Sequence, residues 1–314
     1  MSPVDRGTAS GVPKTAVLLA THNGARFVRE QIETILYQEG IDVTIFVSDD
    51  DSSDETLSVI ESLRLSYGRI ILLPRVGRLG SAGANFFRLI EQVDPETFSY
   101  FCLADQDDIW MRDKVSRAID CMRESGASGY SGSVTARWPD GVSQLVDKGG
   151  ARGCMDYMFE GPGPGCTFVM SDELYRAVRR LIVEKRALVS RVHYHDWLIY
   201  SFARWAGHAW FIDPVPKMVY RQHGGNDTGA NAGVKALIFR ASKIWSGWAR
   251  DQVYLIADVC AYGDLLRARF SFGIGNILRL LRDLKEYRRT NLGRAGLFFA
   301  ACLGKMTPPK GAVS

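Results

Sequence analysis

The sequence predicts an α/β fold: a mostly parallel sheet flanked by helices, with a helical C-terminal extension. Three observations lead there. Short apolar runs alternate with segments of helical period through the first 120 residues. Polar, acid-rich clusters stand at the ends of those runs. After Asn231 the strand signals fade and the chain reads as largely helical. Strands buried on both faces appear as continuous apolar runs, and strand–helix alternation is the pattern of parallel pairing through crossover helices.

Taken in order, residues 15–20 (Thr-Ala-Val-Leu-Leu-Ala) read as a buried strand ending in the loop Thr21-His22-Asn23-Gly24. Phe27, Val28, Ile32, Ile35 and Leu36 recur at helical spacing between Ala25 and Gln38, and Gly40 stands where that helix stops. Residues 43–47 form a second strand that runs into Ser48-Asp49-Asp50-Asp51-Ser52-Ser53-Asp54, followed by a helix to about Leu65. A third strand at 69–73, a helix at 83–93 and a fourth strand at 99–104 follow, the last ending in Asp105-Gln106-Asp107-Asp108. Further on, Gly161-Pro162-Gly163-Pro164-Gly165 is a loop by composition and Cys166–Met170 a strand leaving it. His193–Trp205 reads as a helix, and residues 217–220 as a strand ending in Arg221-Gln222-His223-Gly224-Gly225-Asn226. In parallel sheets ligands bind at the carboxyl ends of strands, where these polar clusters gather.

Composition narrows the class. With 46% hydrophobic and 24% charged residues, a disordered or collagen-like chain is excluded, and 314 residues suffice for one large domain with an extension. No run approaches the ~18 apolar residues of a membrane span. The polar tail 1–14 lacks a signal-peptide core, so the expected compartment is the cytoplasm. The six cysteines form no Cys-x-x-Cys pair, so they read as reduced and mostly buried. Charge is uneven: from Asn231 onward 14 Lys+Arg face 5 Asp+Glu, a net +9, whereas the first 230 residues carry −5. A basic tail on an acidic body points to an anionic partner, nucleic acid or a membrane surface.

Four clusters could carry chemistry. Carboxylates packed as closely as Asp105, Asp107 and Asp108 repel unless they share a cation, and oxygen donors suit Mg²⁺ or Mn²⁺. A carboxylate among Asp49-Asp50-Asp51 can accept hydrogen bonds from a nucleotide base or ribose. Asp196, opening a helix, can serve as general base toward a hydroxyl. His223, beyond a strand end, can ligate a metal through a ring nitrogen. Each has a structural alternative: helix capping for the carboxylates, a satisfied surface or core residue for the histidine.

With these residues in order, the chain resembles glycosyltransferase family 2, inverting enzymes of the GT-A (Rossmann-like) fold, over roughly residues 15–230. The match lies in Val17–Gly24, Val47–Thr56, Ala104-Asp105-Gln106-Asp107-Asp108-Ile109-Trp110, His195-Asp196-Trp197 and Tyr220–Asn226. The fourth-strand and Tyr-Arg-Gln-His-Gly motifs are most similar to the rhamnosyltransferase branch. The resemblance implies Asp196 as catalytic base, and Asp107 and His223 as ligands of Mn²⁺ or Mg²⁺. It implies Thr21, Asn23, Asp50, Asp105 and Gln106 along a nucleotide-diphosphate sugar of dTDP or UDP type. It implies an acceptor that is a surface glycan under construction, free or lipid-linked. Two departures stand out. Asp51 replaces the family's usual glycine, which bears on the turn, and the Arg75–Asn85 stretch keeps Gly80, Asn85 and Phe86 without an assigned role.

Two rivals stay open at this point: a nucleotidyltransferase on a similar sheet, and a non-catalytic nucleotide-sugar-binding protein. The first expects a Gly-rich basic loop after strand one, which Thr21–Gly24 does not supply. In the tail, residues 273–289 interleave Ile274, Ile277, Leu278, Leu281 and Leu284 with Arg279, Arg282, Lys285, Arg288 and Arg289. A short apolar stretch follows at 297–303. That pattern suits peripheral contact with anionic lipid at the inner face of a bacterial cytoplasmic membrane, or packing on the fold. No separate nucleic-acid recognition module is visible.

Overall fold

The structure, a computed structural model, describes residues 11–150, 152–223, 242, 245–271 and 273–308. The first third alternates as the sequence predicts. β1 (Lys14–Thr21), β2 (Asp42–Asp49), β3 (Ile70–Leu72) and β4 (Tyr100–Asp105) are separated by α1 (Val28–Leu36), α2 (Thr56–Tyr67) and α3 (Ala82–Gln92), and α4 (Lys114–Ser125) follows. β1 lies between β2 and β4, parallel to both, and β3 extends the sheet beside β2. The register sets Thr21 opposite Asp49 and Ala20 opposite Asp105, so the acidic ends emerge on one edge.

Beyond α4 the chain builds what the sequence shows poorly. β6 (Gly129–Gly132), β9 (Val169–Ser171) and β10 (Trp210–Asp213) complete a seven-stranded sheet of order β10-β6-β9-β4-β1-β2-β3. β9 runs antiparallel to β4 and β6. Residues 165–167, expected in the strand at 166–170, instead make a turn of 3₁₀ helix before β9. A second sheet pairs β5 (Ile109–Trp110), β11 (Met218–Arg221), β7 (Val134–Arg137) and β8 (Ser143–Val146) in that order. β11 is the expected strand at 217–220. Its partners went unpredicted because two- to four-residue strands carry too few alternations to reveal a period.

Both faces of the main sheet are buried. Ala16, Leu18 and Ala20 of β1 pack into one core with Phe86, Phe101 and Tyr175, and Val17 and Leu19 into the other with Ile32, Ile45 and Val115. This is why β1 reads as an unbroken apolar run. α5 (Asp172–Glu184), the short α6 (Arg186–Val189) and α7 (His195–Trp205) belong to the first side. Ser171 caps α5 by accepting the Leu174 amide at 3.3 Å, with Asp172 and Glu173 in the first turn, favourable at a helix start.

The C-terminal segment is helical as expected: α8 (Trp248–Val259), α9 (Gly263–Phe270), α10 (Ile274–Tyr287) and α11 (Asn291–Cys302). It is not a detached appendage. Tyr254, Ile256 and Ala257 of α8 and Leu266 of α9 join the same core as Leu18 and Phe86. The expected boundary at 230/231 lies outside the described residues. All six cysteines are free, but only Cys102, Cys166 and Cys260 are buried; Cys121 is intermediate, and Cys154 and Cys302 are exposed, so the expectation of mostly buried thiols holds for half.

One polar knot braces the far end of the sheet. The fully buried Asp213 carboxylate accepts from Arg117 Nε at 2.6 Å and Nη2 at 3.0 Å, from Tyr130 Oη at 2.9 Å and from the Val215 amide at 2.9 Å. Asp213→Ala leaves the Tyr130 hydroxyl without its acceptor inside the protein. We expect a loss of about 3 kcal/mol in a urea titration. A loss below about 1 kcal/mol would show that the knot contributes little.

Candidate active site

At the sheet edge, side chains of the first loop are stitched to the second. Thr21 Oγ1 donates to Asp49 Oδ2 at 2.8 Å, and Ser52 donates to the same carboxylate from its amide at 2.8 Å and its hydroxyl at 2.6 Å. Asn23, in the left-handed region at φ 48°, receives the Ser53 amide on Oδ1 at 2.8 Å, while its own amide donates to Ser52 Oγ at 2.8 Å. Asp51 also stands at positive φ, 57°, where the family's glycine would cost nothing. Its carboxylate pairs with Arg75 at 2.7 Å, so the departure from glycine is accommodated by a strained backbone and an ion pair. Asp50, almost fully buried, turns toward residues 79–80, accepting the Gly80 amide at 2.9 Å and the Leu79 amide. Asn85 Nδ2 donates to the carbonyls of Ser48 at 2.9 Å and Thr21 at 3.3 Å, tying the ends of β1 and β2 to α3. That is the role its motif left open.

The loop after β4 is held against the first loop by Gln106. Its amide exchanges two hydrogen bonds with the backbone of His22, each 2.8 Å. Gly24 must be glycine for this: a Cβ there would stand 2.1 Å from Gln106 Oε1. Past Gln106 the two aspartates part. Asp107 meets His223 Nε2 at 2.7 Å, joining residues that the sequence keeps 116 positions apart. The His223 ring is backed by Phe27, stacked at 4.8 Å between centroids. Asp108 turns inward and is fully buried, and neither oxygen has a hydrogen-bond partner from a nitrogen or oxygen donor among the described residues. Burial, and then the nearby Asp105 and Asp107, push its carboxyl well above the ordinary range. Lys114 lies in the same interior, its Nζ 3.6 Å above the Trp110 ring. Burial lowers its ammonium pKa.

Candidate ligand atoms of Asp105, Asp108 and Cys166 lie within 4.8 Å of one another. Burial raises the Cys166 thiol well above its usual value; a thiol is also a soft donor, so the carboxylate oxygens are the donors a hard cation would select. Orphaned carboxylate oxygens beside a second carboxylate fit a hard divalent cation of the Mg²⁺ or Mn²⁺ type, while the expected ligands Asp107 and His223 are bonded to each other and stand outside this group of three.

Asp196 approaches from the other side. It sits in the first turn of α7, where its Oδ1 accepts the Trp197 amide at 2.8 Å; the capping position itself belongs to Tyr194. The start of α7 is pressed onto α3: a Cβ at Gly83 would stand 2.5 Å from the His193 carbonyl oxygen, and His195 stacks on Phe86 at 4.2 Å. A Cβ at Gly165 would stand 2.6 Å from His195 Nε2 and 3.2 Å from Asp196 Cβ. The next residue, Cys166, stands at the carboxylate cluster. One peptide link therefore separates the surroundings of Asp196 from those of Asp105 and Asp108. Burial pushes the Asp196 carboxyl up to about 6, opposed by the Trp197 amide, its own amide and the Lys148 ammonium. His195 is driven down to about 3, first by burial and then by His193, and is a neutral ring.

Thus every expected site residue lies in this region. Asp107 and His223 are joined directly, Gln106 and Asn23 clamp loops, and Asp50 holds the 79–80 turn. The Gly224-Gly225-Asn226 end of the last motif lies outside the described residues. Sequence reasoning missed Asp108, Cys166 and Lys114 as one interior cluster. The one signal for it was a second aspartate directly after the Asp-x-Asp.

A mostly parallel sheet with a carboxylate loop at one strand end, and a half-buried helix-start carboxylate linked to it through Gly165 and Cys166, is the arrangement expected of a GT-A glycosyltransferase. The family model described as Glycosyl transferase family 2 matches residues 16–148. The chain is 41% identical over 273 residues to dTDP-rhamnosyl transferase RfbG of Shigella flexneri, covering 86% of this chain and 94% of that protein. It is 28% identical over 120 residues to a GalNAc(5)-diNAcBac-PP-undecaprenol beta-1,3-glucosyltransferase of Campylobacter jejuni, covering 38% and 37% of the two chains. The fold is similar to the crystal structure of S. aureus TarS 1-349, with a TM-score of 0.54 at 14% identity over 93% of this chain and 88% of that one. The chain belongs to glycosyltransferase family 2.

Proposed function

We propose that this glycosyltransferase moves L-rhamnose from dTDP-L-rhamnose to a hydroxyl of a growing bacterial surface glycan, inverting the anomeric carbon, with Mg²⁺ or Mn²⁺ as cofactor. The observation that carries the reaction type is the juxtaposition of Asp196 with the carboxylate loop through Gly165 and Cys166. The sugar is supported by the 41% identity to a dTDP-rhamnosyl transferase over most of both chains. A lipid-linked acceptor is supported by the relative named for an undecaprenol-linked substrate, and such an acceptor places the reaction at the cytoplasmic face of the membrane.

Asp196 takes the proton of the acceptor hydroxyl. The oxygen then attacks the anomeric carbon from the face opposite the nucleoside diphosphate, so a single displacement inverts the centre and needs no enzyme nucleophile. The environment of Asp196 suits a general base, because a carboxyl raised to about 6 is ionised at neutral pH yet more basic than an exposed one. Asp107 and His223 would hold the cation, and the Asp105 and Asp108 carboxylates offer further oxygen ligands. When bound, the cation neutralises the departing diphosphate. Thr21, Asn23 and Gln106 keep the donor loops in register, and Asp50 shapes the wall beside the nucleotide through the Leu79 and Gly80 amides.

A donor screen tests the reading. Full-length protein is incubated with dTDP-L-rhamnose, UDP-glucose, UDP-GlcNAc or GDP-mannose, with Mg²⁺, Mn²⁺ or chelator, and nucleoside diphosphate release is measured. Release should be greatest from dTDP-L-rhamnose and vanish with chelator. Equal or greater release from another donor overturns the sugar, and full activity in chelator overturns the metal.

A further inference from the structure

The two C-terminal helices present an apolar surface to solvent. On α10, Ile274, Leu278 and Leu281 follow one another at helical spacing and are between 51% and 81% exposed, while Leu280 and Tyr287 face inward. On α11 and at its C-cap, Leu292, Phe299 and Leu303 are between 62% and 69% exposed, and Ala295, Gly296 and Cys302 are exposed among them. The helix that looked like an ordinary amphipathic packing element thus has apolar residues on both sides, and only one side is covered. Scattered exposed leucines are normal in a soluble protein; two stripes on successive helices are not.

Charge identifies what would cover them. Residues 273–308 hold seven Lys+Arg and two Asp+Glu. Both acids are engaged: Asp283 pairs with Arg282 at 2.8 Å and Arg269 at 3.6 Å, and Glu286 accepts the Cys154 amide at 3.0 Å. Arg279, Arg282 and Lys285 are exposed on α10 beside its apolar stripe. A second copy of this chain would bring the same excess of positive charge against itself. An anionic lipid surface accepts both the apolar side chains and the cations.

The hairpin is also joined to the wall of the active site. A Cβ at Gly153 would overlap the Glu286 backbone, Arg289 Nη1 donates to the Gly149 carbonyl at 2.8 Å, and the Arg289 amide donates to Glu160 Oε1 at 2.9 Å. From that segment Lys148 packs against Gly163 of the loop that reaches Asp196 through Gly165. We infer that the exposed faces of α10 and α11 form a docking surface for anionic phospholipid. It seats the protein with the loop beside Asp196 coupled to the bilayer-bound hairpin. Among the described residues no helix is long and apolar enough to cross a membrane. The lipid surface stands on this geometry alone, whichever donor the enzyme uses.

The test is co-sedimentation of the full chain with phosphatidylcholine vesicles, with and without phosphatidylglycerol, at low salt. Two double variants are compared: Leu278→Glu with Phe299→Glu, and Arg279→Glu with Arg282→Glu. Wild type should partition onto the phosphatidylglycerol vesicles at least about tenfold more than onto phosphatidylcholine alone, and each double variant should lose about tenfold or more. Nucleotide release with a water-soluble acceptor, measured in parallel, should stay at the wild-type level, so a failure of the donor assignment is read separately. Wild type remaining in the supernatant overturns the inference. So does equal binding to both vesicles, undiminished binding by the variants, or a fall in particle mass of the variants by light scattering without any vesicle binding, which would identify the face as a contact between copies.

Discussion

Asp107→Ala should reduce transfer by at least about a hundredfold while leaving the fold in place. Two features of its surroundings make this the most damaging single change at the carboxylate loop. Its carboxylate is bonded to His223, so removal leaves the imidazole without its partner and the loop without the charge nearest the ring. It is also the aspartate bonded to that ring; Asp108, its neighbour, is fully buried and grouped with Asp105 and Cys166 instead. Stability should change little, because His223 keeps its stack on Phe27 and Gln106 keeps both bonds to His22. Rates with Mn²⁺ or Mg²⁺ and in chelator, together with a thermal melt, check this. The variant should show no response to metal. Activity above about a tenth of wild type, a difference of only ~1.4 kcal/mol in barrier, excludes the metal role.

How far this site can be read from sequence depends on what holds it. Residues acting through local chemistry at a strand end were legible: Asp105–Asp108, Thr21–Asn23 and Asp196 all stand where a short apolar run or a helical segment begins or ends. Pairings across long separations were legible only through the resemblance. Nothing in the spacing of Asp107 and His223 brings them together; β11 does, by pairing with β5 directly after the carboxylate loop. The unpredicted strands β6, β7, β8 and β10 are at most four residues long, and their positions are set by partners rather than by their own pattern. The inward turn of Asp108 was hidden for a related reason. A solvated acidic turn and a buried one have the same residues, and only the packing of Cys166 and Lys114 behind the loop tells them apart. The C-terminal helices show the reverse: periodicity gave their existence, but which apolar stripe would be covered depended on where Glu286 and Arg289 dock.

Asp196→Asn is expected to lose about 10²–10⁴-fold in turnover while still binding donor, the range that removal of a general base produces. Its distinguishing feature is the opposite effect on stability. The carboxyl is raised from 3.8 to about 6 by burial, so the fold favours its protonated form. That contribution is fully present below about pH 4 and is lost as pH rises through 6. At pH 8 the half-buried carboxylate costs the protein on the order of 1–2 kcal/mol, which an uncharged asparagine does not incur. The variant should therefore melt higher than wild type at pH 8 and match it near pH 4. Wild-type kcat/KM should fall about tenfold per unit below pH 6, as the base becomes protonated. A helix-capping role gives a different pattern. Asparagine caps as well as aspartate, so activity would survive the substitution. Collapse of donor affinity together with turnover would make Asp196 a binding residue. Unchanged turnover would remove it from the chemistry altogether.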